Sequence, residues 1–127
     1  MTIRIKHLAI ILLCFSILGS GSLTSEPIIE HNGVIIFNPS ILLHSKNPKS
    51  VAGYFTIKNN NSYSISLSQV KADIGTPMIH KTVTNSSGIV KMVHFKEVEI
   101  KAKDSISFEP GSYHIMFTKL EKKLKKN

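Results

Sequence analysis

Apolar and polar residues alternate with a period of two along much of the chain. Alternation is clear at residues 65–67, 98–100 and 106–108, and two short apolar segments at 34–37 and 54–57 end at turn signals rich in Asn, Pro and Ser. Residues two apart in a strand lie on the same face, so each segment predicts a strand with one buried and one exposed face. Asn38-Pro39 is predicted to be the turn that ends the first of these strands. No helical stripe precedes the C-terminal tail, and we therefore predict an all-β antiparallel sandwich or barrel.

The first residues have the pattern of a secretory signal peptide. Arg4, Lys6 and His7 precede an apolar run over residues 8–18, and small residues suited to cleavage follow at 19–22. An uncleaved membrane anchor is the alternative, but an apolar run of this length is too short to span a bilayer comfortably. We therefore predict a signal peptide at residues 1–22, export to the periplasm, and a single mature domain at residues 23–127.

Cys14 is the only cysteine and lies inside the apolar run. Lipoprotein processing requires a small residue directly before the cysteine, whereas Leu13 stands there, and this argues against lipid attachment. A mature domain without cysteine needs no disulfide and is compatible with an oxidising compartment. It also excludes copper sites of the blue-copper kind, because those need a Cys ligand.

The net charge of +8 does not predict a nucleic-acid partner. Arg4 and Lys6 leave with the predicted signal peptide, and the tail at residues 119–127 holds five Lys and one Glu, so the body of the mature domain carries only about +2. Nucleic-acid binders place basic residues among aromatic ones on one face, and the body has no such pattern. The tail is predicted to be solvated, with an anionic membrane surface or an acidic partner as the alternative.

Four residues carry the most specific chemistry in this sequence: His80, Met92, His114 and Met116. A thioether is a soft, neutral ligand that favours Cu(I) among biological metals, and imidazole binds copper as well as zinc, iron and nickel. A mixed set of two His and two Met therefore indicates copper. The mature domain contains only three Met, and two of them belong to this set.

The spacing of these four residues resembles the signature H-(M)-x10-M-x21-H-x-M of the periplasmic copper chaperones called PCu(A)C. All four required positions match, and Lys81 stands where the optional Met would be. The surroundings are also similar: Val51–Asn59 resembles the family's A-x-Y-x-x-I-x-N strand, and residues 110–116 resemble its P-G-G-x-H-x-M segment. The resemblance extends over residues 34–124.

This resemblance implies a fold, a ligand and a partner. The fold is a cupredoxin-like β-barrel, and the ligand is one Cu(I) bound near the surface by His80, Met92, His114 and Met116. The metal would pass to the binuclear copper centre of cytochrome c oxidase, sometimes together with a thioredoxin-like copper carrier. The protein would act as a monomer, without nucleic acid and without stable insertion in the membrane.

The predicted strands also explain how four ligands could meet. His114 and Met116 are two residues apart, so they lie on the same face of one strand. Residues 85–88 predict the turn of a hairpin, so that His80 and Met92 face each other across two neighbouring strands. Four ligands could therefore converge without any helix.

Two further residues share these strand faces. Met78 is two residues before His80, and His94 is two residues after Met92, so either could be a reserve or competing ligand. Because the signature does not include them, we expect Met78 to pack in the interior and His94 to be a surface residue. His31 and His44 lie far outside the signature and are assigned no role.

The strongest alternative to a copper chaperone is a secreted structural or adhesive β-domain that keeps the fold without the metal. A truncated, non-functional copy is another, because the family continues with further strands beyond residues 120–124, where this sequence has a lysine-rich tail. Lost strands would leave unpaired sheet edges. An enzyme is not predicted, because the sequence has no Gly-x-Ser-x-Gly nucleophile elbow and its acidic residues are scattered, with none beside His80 or His114.

Overall fold

A computed structural model describes residues 2–6, 8–12, 29–45, 48–121 and 124 of the chain. These residues form strands and no helix. No helix long and apolar enough to cross a membrane is therefore present among them. The strands are β1 (Thr2–Lys6), β2 (Leu8–Leu12), β3 (Ile29–His31), β4 (Val34–Leu42), β5 (Val51–Asn59), β6 (Ile65–Lys71), β7 (Thr76–Thr84), β8 (Val90–Phe95), β9 (Val98–Ile100), β10 (Ser105–Phe108) and β11 (Tyr113–Thr118).

The strands form two sheets. The larger sheet has the order β3-β4-β5-β10-β11-β7-β8, and the smaller sheet has the order β2-β1-β6-β9. Among the described strands the pairings are antiparallel except for a parallel bridge between β10 and β11, and β11 also pairs with β5. The prediction of an all-β, antiparallel, cupredoxin-like fold is confirmed.

The core lies between the two sheets and draws alternate residues from both. The larger sheet contributes Val34, Ile36, Val51, Phe55, Ile57, Ile79, Phe108, Ile115 and Phe117, and the smaller contributes Ile65, Leu67, Val98 and Ile100. Leu120 and Leu124 of the tail are partly buried against this cluster. Because residues two apart in a strand share a face, the intervening residues of the larger sheet lie on its outer face.

Asn59 is a buried polar residue at the end of β5. Its Nδ2 donates to the backbone oxygens of Tyr63 at 2.7 Å, Ile100 at 3.2 Å and Lys101 at 3.1 Å. Its Oδ1 accepts a hydrogen bond from the backbone N of Asn61 at 3.0 Å. These bonds tie the end of β5 in the larger sheet to the end of β9 in the smaller one.

Replacing Asn59 by Ala should lower the free energy of unfolding by about 2–3 kcal/mol, because buried carbonyl groups lose their donor. Urea unfolding of the two proteins measures this difference. Thr56→Ala is the control: Thr56 Oγ1 and Ser107 Oγ form an exposed hydrogen bond at 3.3 Å, and its loss should change stability by less than about 0.5 kcal/mol. Equal effects of the two substitutions would contradict the role of Asn59 as a link between the sheets.

The turn predicted at Asn38-Pro39 is wrong, because β4 continues through both residues to Leu42. The register with β5 shifts between Phe37 and Ser40, and Asn38 has a φ of 55°. Asn tolerates this left-handed conformation, and Pro39 has no N–H to pair, so the extra residue is accommodated as a bulge and the pairing resumes.

The strands β1 and β2 lie within the predicted signal peptide. β1 runs antiparallel to β6 from the pair Thr2 and Lys71 to the pair Lys6 and Ser66. Cys14 and the predicted cleavage segment at residues 19–22 lie outside the described residues. Removal of residues 1–22 and the domain at 23–127 therefore stay predictions.

Candidate metal site

The register of β7 and β11 brings three of the four predicted ligands together. His80 on β7 stands directly opposite His114 on β11, and the centroids of their rings are 5.8 Å apart. Met116 lies on the same face as His114, two residues along the strand. Ile79 and Ile115, the neighbours of the two histidines, are buried in the core. The candidate site is therefore on the outer face of the larger sheet.

Met92 shares this face but does not stand opposite His80. On β8 it pairs with Thr82, while the partner of His80 is His94. Met92 and His80 are therefore diagonal neighbours, a separation that a long side chain can bridge. Met92 is 59% exposed, which makes it the ligand of the predicted set that solvent reaches most easily.

The loop between β7 and β8 sets this register. Asn85 Oδ1 accepts hydrogen bonds from the backbone N of Ser87 at 3.0 Å and of Ile89 at 2.9 Å. Gly88 has a φ of 77°, a conformation that glycine adopts without strain. The hairpin turn predicted at residues 85–88 is thus present, and the loop extends to Ile89.

The two residues outside the signature are part of the same surface. His94 stands opposite His80, with ring centroids 5.9 Å apart, and Met78 stands opposite Met116. His94 is exposed, as predicted, whereas Met78 is only half-buried and lies on the outer face rather than in the core. In the sequence, only the two-residue spacing along each strand linked these residues to the predicted ligands. The register between the strands is needed to show that all of them lie close together.

Both central imidazoles have a buried nitrogen without a hydrogen-bond partner among the described residues: Nε2 of His114 and Nδ1 of His80. His114 is only 3% exposed, and its Nδ1 lies 3.2 Å from the carbonyl oxygen of Ser112. When Nδ1–H donates to that carbonyl, Nε2 carries a free lone pair. Ligating histidines commonly hold their second nitrogen in this way. Most buried polar atoms find partners. Nε2 of His31 on β3, at the opposite edge of the sheet, also lacks one among the described residues, so it is the pairing of His80 with His114 across two strands that fits metal ligands.

The surroundings of His80 lower its pKa below the ordinary value of about 6.5. Burial is the largest cause, followed by the positive charges that His114 and His94 carry when protonated. Only a neutral imidazole binds a metal. His80 therefore remains available as a ligand to a lower pH than an isolated histidine.

This lowered pKa predicts a dependence of stability on pH. The unfolded chain binds a proton at His80 more readily than the folded one. The contribution of neutral His80 to the free energy of unfolding is therefore complete above about pH 6.5 and is lost as the pH falls through the lowered pKa. In thermal unfolding between pH 7.5 and 4.5, His80→Gln should lose less stability than the wild type. His44→Gln, at an exposed position, should follow the wild type, and identical profiles for all three proteins would contradict the prediction.

Aromatic residues support the site from the opposite side of the same strands. The ring of Tyr113 lies 5.4 Å from that of Phe95 and 5.6 Å from that of Phe108, which stacks on Phe55 at 4.5 Å. Lys81 Nζ stands 4.6 Å from the centre of the Tyr113 ring, an attractive cation–π contact. Lys81, at the position of the optional Met, therefore places its charge away from the ligand face.

Within the part of the chain that the structure describes, no three or more His, Cys, Asp and Glu side chains are grouped so as to hold one metal ion. His94, His80 and His114 lie in a row with His80 in the middle, rather than around one point. An ion bound by His80 and His114 would complete its coordination with thioether sulfur. That combination suits Cu(I).

The chain matches the sequence profile of a known family, described as Putative lipoprotein LpqE-like, over residues 32–127. The protein belongs to the LpqE-like family. This family is related to the PCu(A)C-like copper chaperones, so the predicted kinship is confirmed at this broader level, and membership in PCu(A)C itself stays a prediction. No curated protein matches the chain.

The matched region of the LpqE-like protein contains all four predicted ligands together with Met78 and His94. The family description indicates an exported protein of the cell envelope. Cys14 lies before the matched residues, so the match does not bear on the prediction that this cysteine carries no lipid.

Proposed function

We propose that this LpqE-like protein is a periplasmic copper chaperone that binds one Cu(I) as cargo. The pair formed by His80 and His114 carries the proposal. The two residues stand directly opposite each other, and each has a buried nitrogen without a hydrogen-bond partner among the described residues. Met116 and Met92 offer soft donors on the same face.

The chemistry of the ligands favours Cu(I) over Zn(II), because zinc prefers thiolate, imidazole and carboxylate ligands. The position on an outer sheet face, with Met92 exposed, suits a carrier that must collect and release metal. By the resemblance to PCu(A)C, the acceptor is the binuclear copper centre of cytochrome c oxidase, reached directly or with a thioredoxin-like copper carrier. The protein acts as a monomeric carrier and not as an enzyme.

The test is a titration of the purified protein with Cu(I) under reducing conditions, in competition with a chromophoric Cu(I) chelator, beside a titration with Zn(II). We expect one Cu(I) per chain and weaker binding of zinc. Tighter binding of zinc than of Cu(I) would overturn the proposal. Binding of neither metal would favour the alternative, an exported structural or adhesive β-domain that keeps the fold alone.

A further inference from the structure

We propose that His94 is a further copper ligand, which with His80 and Met92 forms an outer copper position at the edge of the larger sheet. The inner position consists of His80, His114 and Met116, and His80 belongs to both. Cu(I) enters and leaves through the outer position. This inference rests on the proposed function, because the inner position is where the cargo resides.

The two pairs of imidazoles have nearly the same separation. The rings of His80 and His114 are 5.8 Å apart, and those of His80 and His94 are 5.9 Å apart. Nitrogens that bind one metal lie about 2 Å from it, so the ring centroids of two such ligands are roughly 5–6 Å apart. The outer pair is therefore placed as well as the inner pair to hold an ion.

Methionine sulfur is distributed in the same way. Met116 is two residues from His114 on β11, and Met92 is two residues from His94 on β8, so each lies beside its histidine on the ligand face. Each position thus has its own thioether next to a pair of imidazoles that includes His80. The soft donors that retain Cu(I) are present at both positions.

Exposure increases along the row of histidines. His114 is 3% exposed, His80 is half-buried and His94 is exposed, while Met92 is 59% exposed. The ligands of another molecule can reach the outer position, whereas the Nε2 of His114 is shielded. A metal that passes to a partner therefore has a path of ligands from the shielded His114 to the edge strand β8.

Movement between the two positions is an exchange of ligands. The bonds from the metal to a ring nitrogen of His114 and to the sulfur of Met116 break as bonds to a ring nitrogen of His94 and to the sulfur of Met92 form, while His80 stays bound. Copper remains Cu(I), so no electron is transferred and no oxidant or reductant is needed. With His94 neutral, no proton is displaced either.

The test separates equilibrium from rate in the full-length protein. For His94→Ala, the Cu(I) affinity measured by competition should fall by less than about threefold, because the inner position is intact. The rate at which an excess of a phenanthroline-type chelator removes Cu(I) should fall by about tenfold, because the accessible position is lost. His44→Ala, a histidine exposed elsewhere on the chain, should change neither quantity.

A second measurement uses Ag(I), which resembles Cu(I) and is not oxidised by air, with nitrogen NMR of the histidine rings. A first equivalent should shift the resonances of His80 and His114 and broaden those of His94 by exchange. An unchanged rate of Cu(I) removal in His94→Ala, or His94 resonances that do not respond to Ag(I), would overturn the outer position without contradicting the proposed carrier function. Loss of all Cu(I) affinity in His94→Ala would make His94 an inner ligand and would also overturn it. A wild-type protein that binds no Cu(I) would instead refute the proposed function.

Discussion

Replacing His114 by Ala should weaken Cu(I) binding by at least about 100-fold. A four-ligand structural zinc site contributes roughly 10–16 kcal/mol, or about 3 kcal/mol per ligand, and each 1.4 kcal/mol is a factor of ten in affinity. His114 should show the full effect, because it is only 3% exposed and water cannot easily take its place. Competition with a chromophoric Cu(I) chelator measures the change.

Two controls distinguish the loss of a ligand from a loss of folding. His114 lies on the outer face, so His114→Ala leaves the core residues in place, and circular dichroism should show an unchanged content of strand. His44→Ala, at an exposed position, should bind Cu(I) as the wild type does. An affinity within a few-fold of the wild type for both His114→Ala and His80→Ala would remove the basis for a copper chaperone.

The largest expected effect on stability comes from Phe117→Ala. Phe117 is 1% exposed in the core, and its ring packs so closely on β5 that a Cβ at Gly53 would lie 2.8 Å from its Cε2. Removing the ring should lower the free energy of unfolding by about 3–5 kcal/mol, because the rigid strands cannot collapse into the cavity. Such a loss is a large part of the roughly 5–15 kcal/mol available to a small domain.

Denaturant unfolding checks this value, with Phe117→Leu and Thr118→Ala as matched variants. Phe117→Leu should lose clearly less than Phe117→Ala, because most of the cavity stays filled. Thr118 is the next residue and lies on the outer face, so Thr118→Ala should change stability by less than about 1 kcal/mol. A loss below about 1 kcal/mol for Phe117→Ala would contradict the packing described for this ring.

The strands could be predicted from the sequence because alternation records burial directly. Ile65 and Leu67 alternate with serines and form the buried face of β6, and Val98 and Ile100, on either side of Glu99, form the buried face of β9. Register is different, because it depends on the length of a loop and on the partner strand. His80 pairs with His94 rather than with Met92 because the loop after Thr84 has five residues. No local sequence pattern predicts this loop length.

Dependence on partner strands also explains the other differences between the predicted and the observed structure. Asn38-Pro39 has the composition of a turn, and only the neighbouring β5 shows that the chain passes through it as a bulge. The ligand types and their shared strand faces were visible in the sequence. The buried, unpartnered nitrogens of His80 and His114 were not, because burial of one side chain depends on residues distant in sequence.

The exposed edge strand β8 has a consequence for handling the protein. Ile89, Val90 and Val93 are between 41% and 61% exposed, and an apolar edge of this kind invites pairing with a second copy. Lys91 and Lys96 lie beside these residues, and in an edge-to-edge dimer they would bring like charges together. Salt shortens the range of this repulsion, from about 10 Å at 0.1 M to about 3 Å at 1 M. Low ionic strength should therefore keep the protein dispersed, whereas concentrated salt should promote aggregation along this edge.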